Sequence, residues 1–450
     1  MEEIADAPAL AIEKTIETTE KLIHELPGQG SINKVRHFWH SLGPGLTTGA
    51  SDDDPSGIAT YSQTGAQFGN QLLWLAGFTF PLMAIVQEMC ARIGLVTGRG
   101  LAANIRTHYS KKVLYITALL LLAANSFNIG ADLGAMAEGA RLLFPGIGSG
   151  VLVVGFAITS LILQIFTPYA TYARYLKYLA FVLIAYIFSA ILAGLNWSDI
   201  GRAAVLPSIT WSKEQVILIC AILGTTISPY LFFWQTSQEV EEQIAGGKTT
   251  LASRQGASDA EVKDMRVDVW SGMFLSNVVM FFIIAACAAI LFPQGITQIS
   301  SAAEAAEALR PFAGEATFFL FAIGIIGTGL LAIPVLAGSA SYAMSESFGW
   351  GGGLGKTLKQ AHSFYGVIII SMLLGLGMNF IGLNPMKALI YSAVLNGLVA
   401  PIVLVIIVQL SRDQRIMGER RNSRLTSAIG WAVVALMTIA GLAALISLIA

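Results

Sequence analysis

The chain has 450 residues, of which 55% are hydrophobic and only 12% charged, and its formal net charge is −1. Soluble domains carry about 25% charged residues, so this balance, with a mean hydropathy of +0.67, excludes a soluble globular protein and describes one polytopic membrane domain. No phosphate loop or nucleotide motif occurs, which argues against ATP-driven chemistry, and no nucleic-acid partner is expected.

Residues 1–40 are acidic at the outset and lack the apolar core of a signal peptide, so they read as a cytoplasmic tail, with room for a short amphipathic helix from Ala9 to Leu26. A membrane-crossing helix needs about 20 apolar residues. Such windows fall near 44–67, 70–93, 113–140, 150–167, 173–195, 215–238, 269–292, 316–343, 362–382, 386–410 and 427–449. With the N-terminus inside, only Arg141, Arg202, Lys213, Arg310 and Lys387 of the 27 Lys and Arg fall outside. That bias fits an odd number of spans in the cell (inner) membrane, N-terminus cytoplasmic.

The first span runs into three acids and a proline, Asp52-Asp53-Asp54-Pro55-Ser56-Gly57. Carboxylates at membrane depth cost about 2.5–3.5 kcal/mol each on insertion scales. Pro55 removes a backbone donor and predicts a helix break, tolerated in a membrane only beside a cavity or buried in protein. The sixth span repeats the device at Thr225-Thr226-Ile227-Ser228-Pro229. Five helices separate the two interruptions, which sets the two halves in opposite orientations and points to a shared midplane site.

At that site Asp54 is expected at the C-terminal end of the first half-helix, with unwound carbonyls from Asp54 to Gly57 and around Thr225 adding negative charge. Oxygen-only donors suit a hard ion such as Mg²⁺, Ca²⁺ or Mn²⁺. Asp52 and Asp53 read equally well as water-exposed, pore-lining acids. The loop from Glu239 to Lys263 is polar and reads as a solvated cytoplasmic linker. Cys90, Cys220 and Cys287 lie within apolar spans and read as packing residues. A transport core is expected over 41–412, followed at 413–450 by a cytoplasmic loop and a final helix.

These residues resemble the NRAMP family of divalent metal transporters over roughly 40–410. The family's first-helix motif, Asp-Pro-Gly-Asn, stands as Asp54-Pro55-Ser56-Gly57, followed by Ala59-Thr60 and Ala66-Gln67-Phe68-Gly69. The stretches Ala91 to Ala102 and Lys263 to Val269 resemble family segments after the second helix and before the seventh. The resemblance implies an all-α LeuT-type core of two inverted five-helix repeats, about 11 transmembrane helices in all, with a metal site at broken helices 1 and 6. The residues assigned to it are Asp54, Gly57, Thr225, Ser228 and Asp53.

The departures narrow the expectation. The family's metal-binding Asn is Gly57, its methionine ligand is Ser228, and the His after the proline is Tyr230. The two third-helix glutamates are Asn125 and Ala135 around a retained Asp132, and a tenth-helix Gln is Ala393. These changes resemble the magnesium-transporting branch related to the family. They imply a wider cavity and a uniporter-like importer that binds partly hydrated Mg²⁺, with Mn²⁺ also accepted. The metal is substrate, no cofactor is expected, and the oligomeric state stays open, a monomer included.

Asp132 reads as a structural acid bonded to neighbouring helices; Asn125, Asn128 and Asn396 read as interhelical hydrogen-bonding groups. Glu88 and Arg92 read as a surface pair. The histidines, His24, His37, His40, His108 and His362, all fall at or beyond membrane faces. The alternatives are a proton-coupled Mn²⁺/Fe²⁺ symporter, a sodium-coupled organic solute transporter, and a metal-sensing receptor that does not transport. A receptor of that kind would carry a large signalling domain. An intramembrane aspartyl protease would need a Gly-x-Gly-Asp motif, which is absent.

Overall fold

The computed structural model describes residues 43–167 and 183–449. The tail with its expected helix at Ala9 to Leu26, His24, His37, His40 and most of the 173–195 window lie outside the described residues. The helices below belong to the unit 44–450.

The first window is two helices, α1 (Pro44–Asp52) and α2 (Pro55–Phe68). Then come α3 (Trp74–Thr97), α4 (Lys111–Leu143), α5 (Ser149–Phe166) and α6 (Ile184–Leu192). The sixth window is again split, into α7 (Lys213–Thr226) and α8 (Pro229–Ala245). The long helices that follow are α9 (Asp259–Ile290), α10 (Thr317–Phe348), α11 (His362–Met378), α12 (Pro385–Arg412) and α13 (Arg424–Ile449), with short helices in the connections. Every expected span window therefore meets helix, and every regular element among the described residues is helical. Among the described residues, eight helical stretches are long and apolar enough to cross a membrane.

Both breaks have the same local cause. Asp54 and Ser228 are extended (φ −68°, ψ 172° and φ −85°, ψ 135°) and each precedes a proline in the first turn of the next helix. A residue before proline is pushed out of the helical region, and proline is tolerated at a first turn because its missing N–H would be unpaired there anyway. Pro81, Pro334 and Pro401 lie inside unbroken helices, so proline alone does not break a span.

The long helix α9 packs on α1, α2 and α3, while α4 packs on α10, α11 and α12. The approach of α1 to α9 is backbone on backbone. A Cβ on Gly45 would lie 2.6 Å from the Val269 backbone, and one on Gly49 or Gly272 would run into the other helix's carbonyls. Asp268 of α9 closes this contact by accepting from Gly45 N (2.6 Å) and Leu46 N (3.1 Å), which satisfies two orphan donors at the start of α1.

Two further expectations are corrected. The segment from Glu239 to Lys263 is a solvated linker only in its later part: α8 continues to Ala245, Glu239 and Gln243 are buried, and Gln243 Nε2 donates to Leu95 O (2.8 Å), whereas most residues from Ile244 to Lys263 are exposed. Gly256 N donates to Val96 O (2.8 Å), so the connection folds back onto the end of α3. Glu88 and Arg92 pair at 3.4 Å, but both are buried. Glu88 also accepts from Arg266 (3.0 Å) and Trp270 Nε1 (2.9 Å), and Arg92 donates to Asn422. Partners on α9 and at Asn422 make them part of a buried network rather than a surface pair. All three cysteines are free and buried, and His108 and His362 are exposed at helix ends, as expected.

Candidate metal centre

The breaks bring the two halves together. At Gly57 a Cβ would sit 3.2 Å from Thr225 Oγ1, 3.1 Å from the Asp52 carbonyl and 3.4 Å from Tyr61 Cε2. Tyr230, just after the second break, donates its hydroxyl to Ser51 O at the end of α1 (3.0 Å). The expected widening at Gly57 is therefore not present in this arrangement. Thr225 and Tyr61 fill the space a side chain would take, and Ala393 is fully buried.

Asp54 is almost fully buried, and it caps α2 rather than ending α1. Its Oδ1 accepts from Gly57 N (2.7 Å) and Ser56 Oγ (2.7 Å), and its Oδ2 from Asn128 Nδ2 of α4 (3.0 Å). This corrects the expected electrostatics. Residues 55–57 are helical rather than unwound, and the carboxylate faces the positive end of α2, which favours its charge. Only Asp53 and Asp54 are left between the half-helices.

Asp52 is the last residue of α1, and it and Asp53 are buried rather than water-exposed. Both turn toward α9, where Ser276 Oγ donates to Asp52 Oδ2 (2.6 Å) and lies 3.4 Å from Asp53 Oδ1. Thr225 is helical in the last turn of α7, not unwound. Ser228 does not offer a free hydroxyl: its Oγ donates to the carbonyls of Gly224 (2.6 Å) and Thr225 (2.7 Å).

Asp54, Gly57 and Thr225 thus converge, Ser228 buttresses the end of α7, and Asp53 belongs with Asp52 on the α9 side. Among the described residues no three His, Cys, Asp or Glu side chains come together as a metal cage. Any ion here would take much of its coordination from hydroxyls, carbonyls and water.

Asn125 bonds across to α10, through Leu336 O and Ser339 Oγ (2.8 Å each), as an interhelical group should. Asn128 does so too, but its partner is Asp54, which brings it into the site. Asn396 and Asp132 differ from expectation: both are buried, and neither side chain has a hydrogen-bond partner. Asp132 stands one turn beyond Asn128 on α4, within electrostatic reach of Asp54. Sequence reasoning missed Ser276. The only signal was the polar pair Ser276-Asn277 in an otherwise apolar stretch.

The fold is similar to that of several solved structures. A manganese transporter from Eremococcus coleocola, in complex with an aromatic bis-isothiourea substituted compound, superposes with a TM-score of 0.70 at 21% identity, over 93% of this chain and 88% of that one. Mhp1, a nucleobase-cation-symport-1 family transporter, matches at 0.55 and 15% identity, over 90% of this chain and 91% of its own. MhsT, in complex with L-phenylalanine, matches at 0.53 and 14%, over 90% and 98%. At these identities the likeness establishes the shared LeuT-type transporter fold. The family described as natural resistance-associated macrophage protein-like matches residues 45–447. With nearly the whole described unit inside that match, and its two broken helices meeting at Asp54, the chain belongs to the Nramp family of membrane transporters.

Proposed function

We propose that the protein is a secondary transporter that carries a divalent metal cation through the cell membrane. Partly hydrated Mg²⁺ is its main cargo, and Mn²⁺ is also accepted. The reading rests on Asp54, a buried carboxylate at the junction of the two broken helices with Asn128, Ser56 and Thr225 around it and no methionine or histidine in the break segments 52–57 and 225–230. Mg²⁺ dehydrates reluctantly and is held through one or two carboxylates and several waters. Soft ions gain from sulphur, which Ser228 does not supply. Acceptance of Mn²⁺ is supported by its similar oxygen chemistry and by the manganese transport named for the Eremococcus coleocola relative. Because Gly57 is in contact with Thr225 and Tyr61, loading a hydrated ion requires the half-helices to part.

Asn125 and Ala135 cannot titrate, so the metal moves down its own gradient. An inside-negative potential contributes about 2.3 kcal/mol per charge per 100 mV, roughly 4.6 for a divalent ion. Asp132 favours a second reading, proton-coupled Mn²⁺ symport, because its carboxylate lies unpartnered near Asp54.

Proteoliposomes with a clamped membrane potential and an internal pH dye separate the two. Mg²⁺ and Mn²⁺ uptake without acidification is expected, abolished in Asp54→Ala. Metal-dependent acidification would establish the symport reading instead, and a properly folded protein without flux would favour the receptor.

A further inference from the structure

Away from the break, four segments of the chain meet around a cavity of about 600 Å³. Its walls are the end of α3, the short helix Leu101–His108, residues 255–257 before α9, and the connection from α12 to α13. That volume falls within the range of small-ligand sites, about 300–1,000 Å³. Gly256 and Gly418 stand in the wall with positive φ (86° and 56°), and nothing lies within 4 Å of where a Cβ would be at either. The wall is thus bare backbone at two points.

The charge around this cavity is one-sided. Arg99, Arg415, Arg420 and His108 line it against one acid, Glu419. Lys and Arg collect on the inner side of membrane proteins in general, but that bias does not bring guanidinium groups from separate segments to one cavity. Arg99 Nη1 donates to Thr107 Oγ1 (2.9 Å), Arg415 Nε and Nη2 to Asp413 (3.3 and 3.1 Å), and Arg420 Nη1 to Asp259. A guanidinium has five N–H donors, so each keeps donors beyond these bonds. Asp413 and Asp259 are not among the lining residues. Exposed ion pairs of this kind are weak, and they leave the arginines able to take a stronger acceptor.

We propose that this cavity is an anion site for a phosphate-bearing ligand. Arginine forks match the oxygens of a phosphate in pairs. No Phe, Tyr or Trp lines the cavity, so nothing there stacks on a nucleobase, and recognition falls to the phosphate itself. A phosphomonoester or pyrophosphate group carries the charge that the guanidiniums offset. A free anion and the headgroup of an anionic lipid at the inner face both present this chemistry. The site does not depend on Asp54 or on the identity of the cargo.

The purified full chain is titrated by calorimetry in metal-free detergent buffer with inorganic pyrophosphate. A separate titration uses detergent micelles carrying phosphatidic acid, a lipid with a phosphomonoester head. One saturable site per chain is expected, weakened by added salt. Arg99→Gln and Arg415→Gln should each weaken it by about 10-fold or more, the scale of a lost charge-assisted hydrogen bond. The Arg415 side chain is 90% exposed, so its replacement leaves the core untouched. Lys359→Gln, exposed and outside the cavity, should bind as the wild type does. Binding of pyrophosphate alone identifies a soluble ligand and binding of phosphatidic acid alone a lipid, each with the same pattern among the variants. No saturable site with either probe overturns the proposal, as does full-strength binding in both arginine variants or an equal loss in Lys359→Gln.

Discussion

A side chain's role at this site depends on what its polar atoms already hold. The resemblance sets Ser228 where the family carries a sulphur ligand, but in this structure its hydroxyl is committed to the carbonyls of Gly224 and Thr225. Ser228→Met would place a thioether at the break and release both carbonyls. Cd²⁺ affinity should rise, and Mg²⁺ uptake should fall by about 10-fold or more, the scale on which groups around a metal ligand act. Calorimetry with Cd²⁺ and uptake assays on both proteins check it, and tight Cd²⁺ binding by the wild type would contradict the oxygen-only pocket. The helix break at Asp54 was legible in the sequence because a proline in mid-span pushes the residue before it out of the helix. Ser276 was not legible, because its meaning lies in an acid 224 residues away.

At the scale of elements, the breaks and the grip on them come from different sources. The breaks are local, each produced by an extended residue followed by proline. The grip of α9 on α1 is tertiary and uses Gly45, Gly49, Gly272 and the carboxylate of Asp268. Gly49→Ala would drive a methyl into the Gly272 carbonyl and should destabilise the fold by about 1–3 kcal/mol, the usual cost of overpacking. Asp268→Ala would leave Gly45 N and Leu46 N without their acceptor, a penalty of about 1–3 kcal/mol. Thermal unfolding in detergent should show a lower midpoint for each, with Asp268→Asn in between because one acceptor oxygen remains. Unchanged midpoints would mean that α1 is held from elsewhere.

Over the whole molecule, the Lys and Arg asymmetry carries a topological prediction. A cysteine introduced near Gly256, which is exposed beyond the end of α8, should react with an impermeant thiol reagent only after the membrane is opened. One placed near Trp211, in the exposed turn before α7, should react in intact cells, and the reverse pattern would invert the proposed orientation. Composition alone determined that this chain crosses a membrane many times, because so few charges leave no other solvent for so many apolar residues. Hydropathy windows located the helices, and the acid–proline and serine–proline pairs located both breaks, because backbone chemistry acts on neighbours in sequence. Only the tertiary structure decided that Asp54 caps α2, that Asp52 and Asp53 turn to α9, that Glu239 and Gln243 are buried and that Glu88 and Arg92 sit in a network. Each of these depends on which helices meet. A charge or hydroxyl is oriented by its nearest partner, and in this fold that partner often lies on another helix.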